Sequence, residues 1–336
     1  MLIPFVVSVV PVFLFLGALV LLDSYKLIAL RAILLAVGAG AVSAVASYYV
    51  NISLMQNIGL SLRHYTVYVA PVVEEILKSA YLVWLLRRNK VGFVVDAATY
   101  GFAVGTGFAF LENIYYLPVH PNPTIWTWFV RGFGTALMHG GTTAIVAMIS
   151  RRLLDRAQTF RLSLMLPGLL VAIVLHSLYN AFLVAPLLAT GLIVLVFPYI
   201  VMFLFQQSER ETKNWLGTGF DTDQELLRVM RAGQLSDTPT GKYLTDLRTN
   251  YPPEVIVDMM CLLRLRAELG IKAKGILLMR EAGFEADPDP SLRGKLEEVG
   301  SLEESIGKTG MRALKPFIHT STQDLWQMTL LDGKPR

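Results

Sequence analysis

PVVEEILKSAYLVW, residues 71–84, puts Glu74, Glu75 and Lys78 inside an apolar run from about Tyr65 to Leu86. A run of that length is a bilayer span, because roughly 20 apolar residues cross the hydrocarbon core. Charges in its middle are costly, at least about 2.5 kcal/mol each on the gentlest scale. They therefore call for partners or a wet cavity. On a helix, Glu74 and Lys78 stand at i,i+4 and Glu75 and Lys78 at i,i+3, so either glutamate can pair with the lysine. The two carboxylates point about 100° apart, and one lysine cannot easily serve both. One carboxylate is left for chemistry or transport, and the sequence leaves open which of the two faces a cavity.

The rest of the chain supports a membrane setting. Of its 336 residues 54% are hydrophobic and the mean hydropathy is +0.50. Up to Gln206 there are only six acidic residues against 12 Lys and Arg, a net of +6, while the remainder carries a net of −2. The pI near 9.1 is thus a topology signal and excludes a nucleic-acid footprint. Cys261 is alone, which excludes a disulfide framework or a cysteine zinc site, and its place in an amphipathic pattern makes it a packing residue. Apolar runs predict seven spans, at about 2–22, 27–50, 65–86, 93–117, 124–150, 162–183 and 185–205. The first lacks the basic start and cleavage pattern of a signal peptide, so it is expected to be retained.

The expected fold is all-α: a polytopic bundle over residues 1–206, followed by a small helical cytosolic domain over residues 207–336. Lys26, Arg87, Arg88 and Lys90 and the four arginines 151, 152, 156 and 161 fall in alternate loops, which places the N-terminus outside and the C-terminus inside. Within the C-terminal part, 221–231 and 253–269 read as helices, the second stopped by Gly270, and Ser301 with Glu304 as a capping box.

Further polar residues stand where lipid should have excluded them: Asp96, Glu112 with Asn113, His139, and His176 with Asn180 at i,i+4. Intramembrane ionisable groups face the bundle interior and are functional candidates by default. Asp96, close to a basic loop, is expected to pair with Arg87, Arg88 or Lys90. Counting about 1.5 Å per residue from the outer span ends puts Glu74 roughly 14 Å deep, Glu112 roughly 8 Å and His176 roughly 11 Å. His139, at about 22 Å, fits less well unless its span begins later, with Arg131 snorkelling to the interface.

Four motifs now stand in order on successive spans: E74-E-I-L-K78, F108-x-x-x-E112-N113, His139 and H176-x-x-x-N180. In this the chain resembles the PrsW family of intramembrane proteases, which belongs with the CAAX prenyl endopeptidases and bacteriocin-processing membrane proteins. The resemblance covers about residues 65–205 and does not extend to the C-terminal part. It implies water activation by Glu74 or Glu75 and oxyanion support by His176 and Asn180. The prenyl endopeptidases have a histidine where this chain has Glu112, so two alternatives stay open. Glu74 and Glu112 share a proton as acid and base, with no cofactor; or Glu74, Glu112, His139 and His176 ligate a divalent metal such as zinc. The expected substrate is a single-span membrane protein such as an anti-sigma factor, in a bacterial cytoplasmic membrane. A cytosolic regulator acting through residues 207–336 is a further expected partner. The rival classes are a proton- or cation-coupled transporter built on the same groups, and a non-catalytic relative that binds a partner helix.

Overall fold

A computed structural model describes residues 2–23, 28–119, 123–157, 159–284, 289, 292–318, 326–327 and 330–331. Among these residues the regular structure is helical, with no strand. In chain order the helices are α1 (Leu2–Leu21), α2 (Leu30–Ile58), α3 (Leu62–His64), α4 (Ala70–Arg87), α5 (Val94–Val119), α6 (Ile125–Phe129), α7 (Ala136–Ala157), α8 (Leu166–Asn180), α9 (Pro186–Arg231), α10 (Pro239–Asp246), α11 (Pro253–Glu281) and α12 (Leu292–Leu314). A π-helical turn, Tyr65–Val69, joins α3 to α4, and a second, Val130–Thr135, joins α6 to α7. Two compact units result, residues 1–208 and 209–335.

Among the described residues six helical stretches are long and apolar enough to cross a membrane by length and composition. The expected third span is helical throughout from Leu62 to Arg87 but is not among the six, because its charges dilute its hydropathy. The break between the last two spans falls at 181–185, where Phe182 adopts a positive φ of 49°. Lys26 lies outside the described residues.

In the first unit α5 is the central helix: 83% of its most apolar window is buried, against 6% for α9. Glycines make that burial achievable. A Cβ on Gly40 of α2 would stand 1.8 Å from the Val104 carbonyl oxygen of α5, and one on Gly107 of α5 1.8 Å from that of Val37. On the other side of α5, a Cβ at Gly105 would meet the His139 carbonyl oxygen of α7 at 2.3 Å. Small residues let helix backbones approach, which is how helices associate where lipid is as apolar as leucine. Leu82, Leu85, Phe102 and Leu137 fill the remaining core, whereas Leu170, Leu195 and Phe203 stay exposed on faces that suit lipid.

Asp96 is a helix cap. Its Oδ2 accepts from the backbone N–H groups of Gly92 and Phe93, both at 3.0 Å. These donors at the start of α5 are satisfied by the carboxylate at close range. Of the cations expected beside it, Lys90 stands 4.9 Å over the Trp84 ring.

The C-terminal helices depart from expectation in three places. Residues 221–231 are the end of α9, a single 46-residue helix that begins in the last apolar span, so residue 206 is not an element boundary. Gly270 does not stop α11, which continues to Glu281. Its missing side chain makes room for Asp223, whose Oδ2 would lie 2.6 Å from a Cβ there. Ser301 lies inside α12, its hydroxyl donating to the Glu297 carbonyl at 3.3 Å, so it caps nothing. Cys261 is half-buried in α11. Leu244, Met259, Leu262 and Leu314 make the core of this unit.

Candidate active site

The helix α4 resolves the choice between its two glutamates. Glu75 points into the bundle and is fully buried, as is Lys78. Its Oε1 accepts from Lys78 Nζ at 2.6 Å, from the Thr142 hydroxyl of α7 at 3.1 Å, and from His176 Nδ1 of α8 at 2.8 Å. One carboxylate thus ties together three helices. A buried charge with this many donors is compensated, and removing one of them would leave it costly. The lysine also stands 4.9 Å over the Phe108 ring.

Glu74 faces elsewhere. Its Oε2 lies 3.7 Å from His176 Nε2. A carboxylate only accepts, so the hydrogen between His176 and Glu75 sits on Nδ1, and in the neutral ring Nε2 carries a lone pair. Two acceptors, Glu74 Oε2 and His176 Nε2, therefore converge on one point, which is where a cation fits. The carboxylate bonded to the far nitrogen is the arrangement that orients a metal-binding imidazole.

His139 completes the centre. Its ring meets that of His176 edge-on, with centroids 4.8 Å apart, and Glu74, His139 and His176 each offer a ligand atom within 4.8 Å of the others. Two zinc ligands in a tetrahedron stand roughly 3.4 Å apart, so a modest contraction would suffice. The donor set of one carboxylate and two imidazoles suits zinc and leaves a position open. However, His139 Nδ1 lies 3.1 Å from Lys78 Nζ, and Nε2 lies 3.2 Å from Glu112 Oε2. Holding a cation through His139 requires one of these contacts to yield. Glu112 stands outside the three-residue group. Its Oε2 also lies 3.2 Å from an Arg131 guanidinium nitrogen, which gives it a fixed positive charge as a neighbour.

Arg131 is pinned in turn. Its Nε donates to Asn113 Oδ1 at 2.9 Å, its guanidinium lies 4.0 Å over the Tyr116 ring, and Asn113 Nδ2 donates to the Ser8 carbonyl of α1 at 2.7 Å. Glu74 and Glu112 both line a cavity of about 480 Å³ bounded by α2, α3, α4 and α5.

A family profile described as PrsW family intramembrane metalloprotease matches residues 28–205, more than half of the chain. The chain belongs to this family. No curated protein and no solved structure gave a match. As a PrsW family member the chain is a multi-pass membrane protein and an intramembrane protease.

Against the PrsW motifs, the structure brings Glu74, Glu75, Lys78, Glu112, His139 and His176 into one connected cluster. Asn180 is turned to another task. Its amide donates to the Thr66 carbonyl at 3.0 Å, within the first π-turn, which fastens α8 to that turn. This bond uses one of the two N–H donors of the Asn180 amide. Arg131 does not snorkel outward, since the Glu112 carboxylate gives it an internal partner. His139 reaches the site despite its count because Ile125–Ala157 has 33 residues. That is about 50 Å of helix against about 30 Å of hydrocarbon, so its first turns need not lie in the core. Thr142 is the supporting side chain that sequence reasoning passed over, and Arg131 was expected at the interface and not beside Glu112. The signal was there for Thr142, three residues after His139 and hence on the same helical face.

Proposed function

We propose that this PrsW family member hydrolyses a peptide bond of a single-span membrane protein, an anti-sigma factor being the class we favour, in the outer half of a bacterial cytoplasmic membrane with its N-terminus outside and C-terminus inside. The observation that carries the reading is the division of labour on α4. Glu75 is buried and bonded from three sides, and Glu74, beside His176 Nε2, forms part of a cavity wall.

In the reaction, Glu74 takes a proton from water as its oxygen adds to the scissile carbonyl carbon. The same carboxyl then returns the proton to the leaving nitrogen as the C–N bond breaks. Glu75 holds the His176 ring by Nδ1, and Lys78 balances the Glu75 charge. Arg131 fixes Glu112, which orients His139. Glu74, His139 and His176 would hold a divalent ion such as zinc, which when bound supplies Lewis-acid polarisation of the carbonyl and of the attacking water. Residues 207–336 offer the surface for a cytosolic regulator, which a pull-down with the full chain tests against one shortened after residue 206.

The test is cleavage, by purified full-length protein in nanodiscs, of membrane proteins from its host, with new N-termini identified by mass spectrometry. New termini that vanish in Glu74→Gln and His176→Ala are expected, and termini unchanged in both variants would sink the mechanism. Elemental mass spectrometry of the same preparations separates a metallo from a glutamic peptidase. Roughly one zinc per chain, lost in His176→Ala, is the metallo outcome.

A further inference from the structure

At the centre of the site Glu75, His139 and His176 are sealed, with side chains no more than 2% exposed, whereas Glu74 is 14% and Glu112 24% exposed. Both of the exposed carboxylates belong to the wall of the 480 Å³ cavity. Access to Glu74 therefore runs through it. Its other wall is α2. Helices α2 and α5 run in the same direction and touch at Gly40, whose Cβ would stand 2.9 Å from the Phe108 nitrogen. Two turns on, the gap between them holds the rings of Tyr48 and Tyr115, with centroids 5.2 Å apart. The space between the helices widens from the glycine crossing towards their C-terminal ends.

Two polar groups on the α2 wall, the Ser47 hydroxyl and the Asn51 amide nitrogen, have no hydrogen-bond partner among the described residues. Ser47 is 2% exposed. Asn51 accepts from the Tyr65 hydroxyl at 3.0 Å through its carbonyl oxygen. Both residues line the cavity. An acyl chain has no use for such groups. A peptide main chain does, because a helical segment opened for attack leaves N–H and C=O groups that hydrocarbon cannot satisfy. The spacing also suits a peptide. Residues at i and i+4 share a helix face about 6 Å apart along the axis, and alternate residues of an extended chain repeat at about 6.6 Å.

We infer that Ser47 and Asn51 bind the substrate main chain, and that the occupant of the cavity is an apolar, locally extended segment of a single-span protein lying between α2 and α5 opposite Glu74. This rests on the peptidase reading above and adds where its substrate lies. Ser47→Ala with Asn51→Ala should then weaken transition-state binding without touching the groups around His176.

The probe is a synthetic fluorogenic peptide, a 20-residue Leu/Ala segment with a central Gly-Gly and terminal lysines, presented to the full chain in nanodiscs. Ser47→Ala/Asn51→Ala is expected to lower kcat/KM about ten- to a hundred-fold, as two lost hydrogen bonds would, with zinc content unchanged. Ser47→Thr, which keeps the hydroxyl, should retain most of the activity, and this separates hydrogen bonding from a folding defect. A benzophenone amino acid in place of Tyr48, in the Glu74→Gln background, should crosslink to the peptide. Crosslinks to lipid alone, or none, would overturn the inference. So would cleavage that is lost in Glu74→Gln but unchanged in the Ser47/Asn51 double variant, with the peptidase reading left standing. A peptide crosslink with no cleavage by the wild-type chain would support the groove and overturn the peptidase reading.

Discussion

Each unit of this protein buries a lysine against a carboxylate at the same distance. In the first, Lys78 Nζ is 2.6 Å from Glu75 and 4.9 Å over Phe108; in the second, Lys274 Nζ is 2.6 Å from Asp223 and 5.4 Å over Trp215. Taken alone the two pairs look alike. What separates them is the setting. Glu75 is completely buried and extends through Thr142 and His176 to a second carboxylate, whereas Asp223 is 13% exposed. A buried ion pair is weak evidence of function and weak evidence of stability. A buried pair that fixes the ring of a neighbouring imidazole is a supporting part of a site.

Six substitutions test that distinction. Glu74→Gln should have the largest effect, a loss of about 10²- to 10⁴-fold in kcat, the range for a removed general base, while Asp223→Asn leaves cleavage unchanged. A comparable loss in both would abolish the contrast. Lys78→Met leaves Glu75 buried without its main partner and should cost about 3–5 kcal/mol, read as a fall in Tm in detergent. Combining it with Glu75→Leu should recover most of the stability and none of the cleavage, whereas recovery of both would reduce Glu75 to a packing device. Lys274→Met should cost less, about 1–3 kcal/mol, because Asp223 retains access to water, and purified protein should cleave at the wild-type rate. Gly270→Ala is the mildest. A methyl group would press on Asp223 Oδ2 at 2.6 Å, with an expected cost of about 1 kcal/mol through overpacking and no change in kcat/KM.

How far the sequence was readable follows from the same contrast. Charges in an apolar run are visible because lipid makes each one expensive, so Glu74, Glu75, Lys78, Glu112, His139 and His176 stand out in the sequence alone. Which way each pointed did not. Adjacent glutamates differ by one helical step, and only the packing of α4 on α7 and α8 decides that Glu75 turns inward. Asn180 shared a face with His176, but that pattern could not reveal a free carbonyl at Thr66 waiting for its amide. Ser47 and Asn51 are uncharged and cheap to place in a span, so they gave little warning. The spans themselves were legible by length. The run of α9 past residue 206 was not, because a change in composition need not interrupt the backbone hydrogen bonds.

The two π-turns act as angular spacers. Each inserts a wider i→i+5 turn into a helix that carries site residues, Tyr65–Val69 ahead of Glu74 and Val130–Thr135 ahead of His139. One surplus residue rotates everything before it by about 100° relative to everything after. Tyr65 can therefore reach Asn51 while Glu74, nine positions on, reaches His176, and Arg131 can reach Glu112 from within the second turn. Deleting a single residue from either turn would keep every side chain of the site and misalign them all. A one-residue deletion in either stretch is therefore expected to act on the site as a substitution of the residues it aims would.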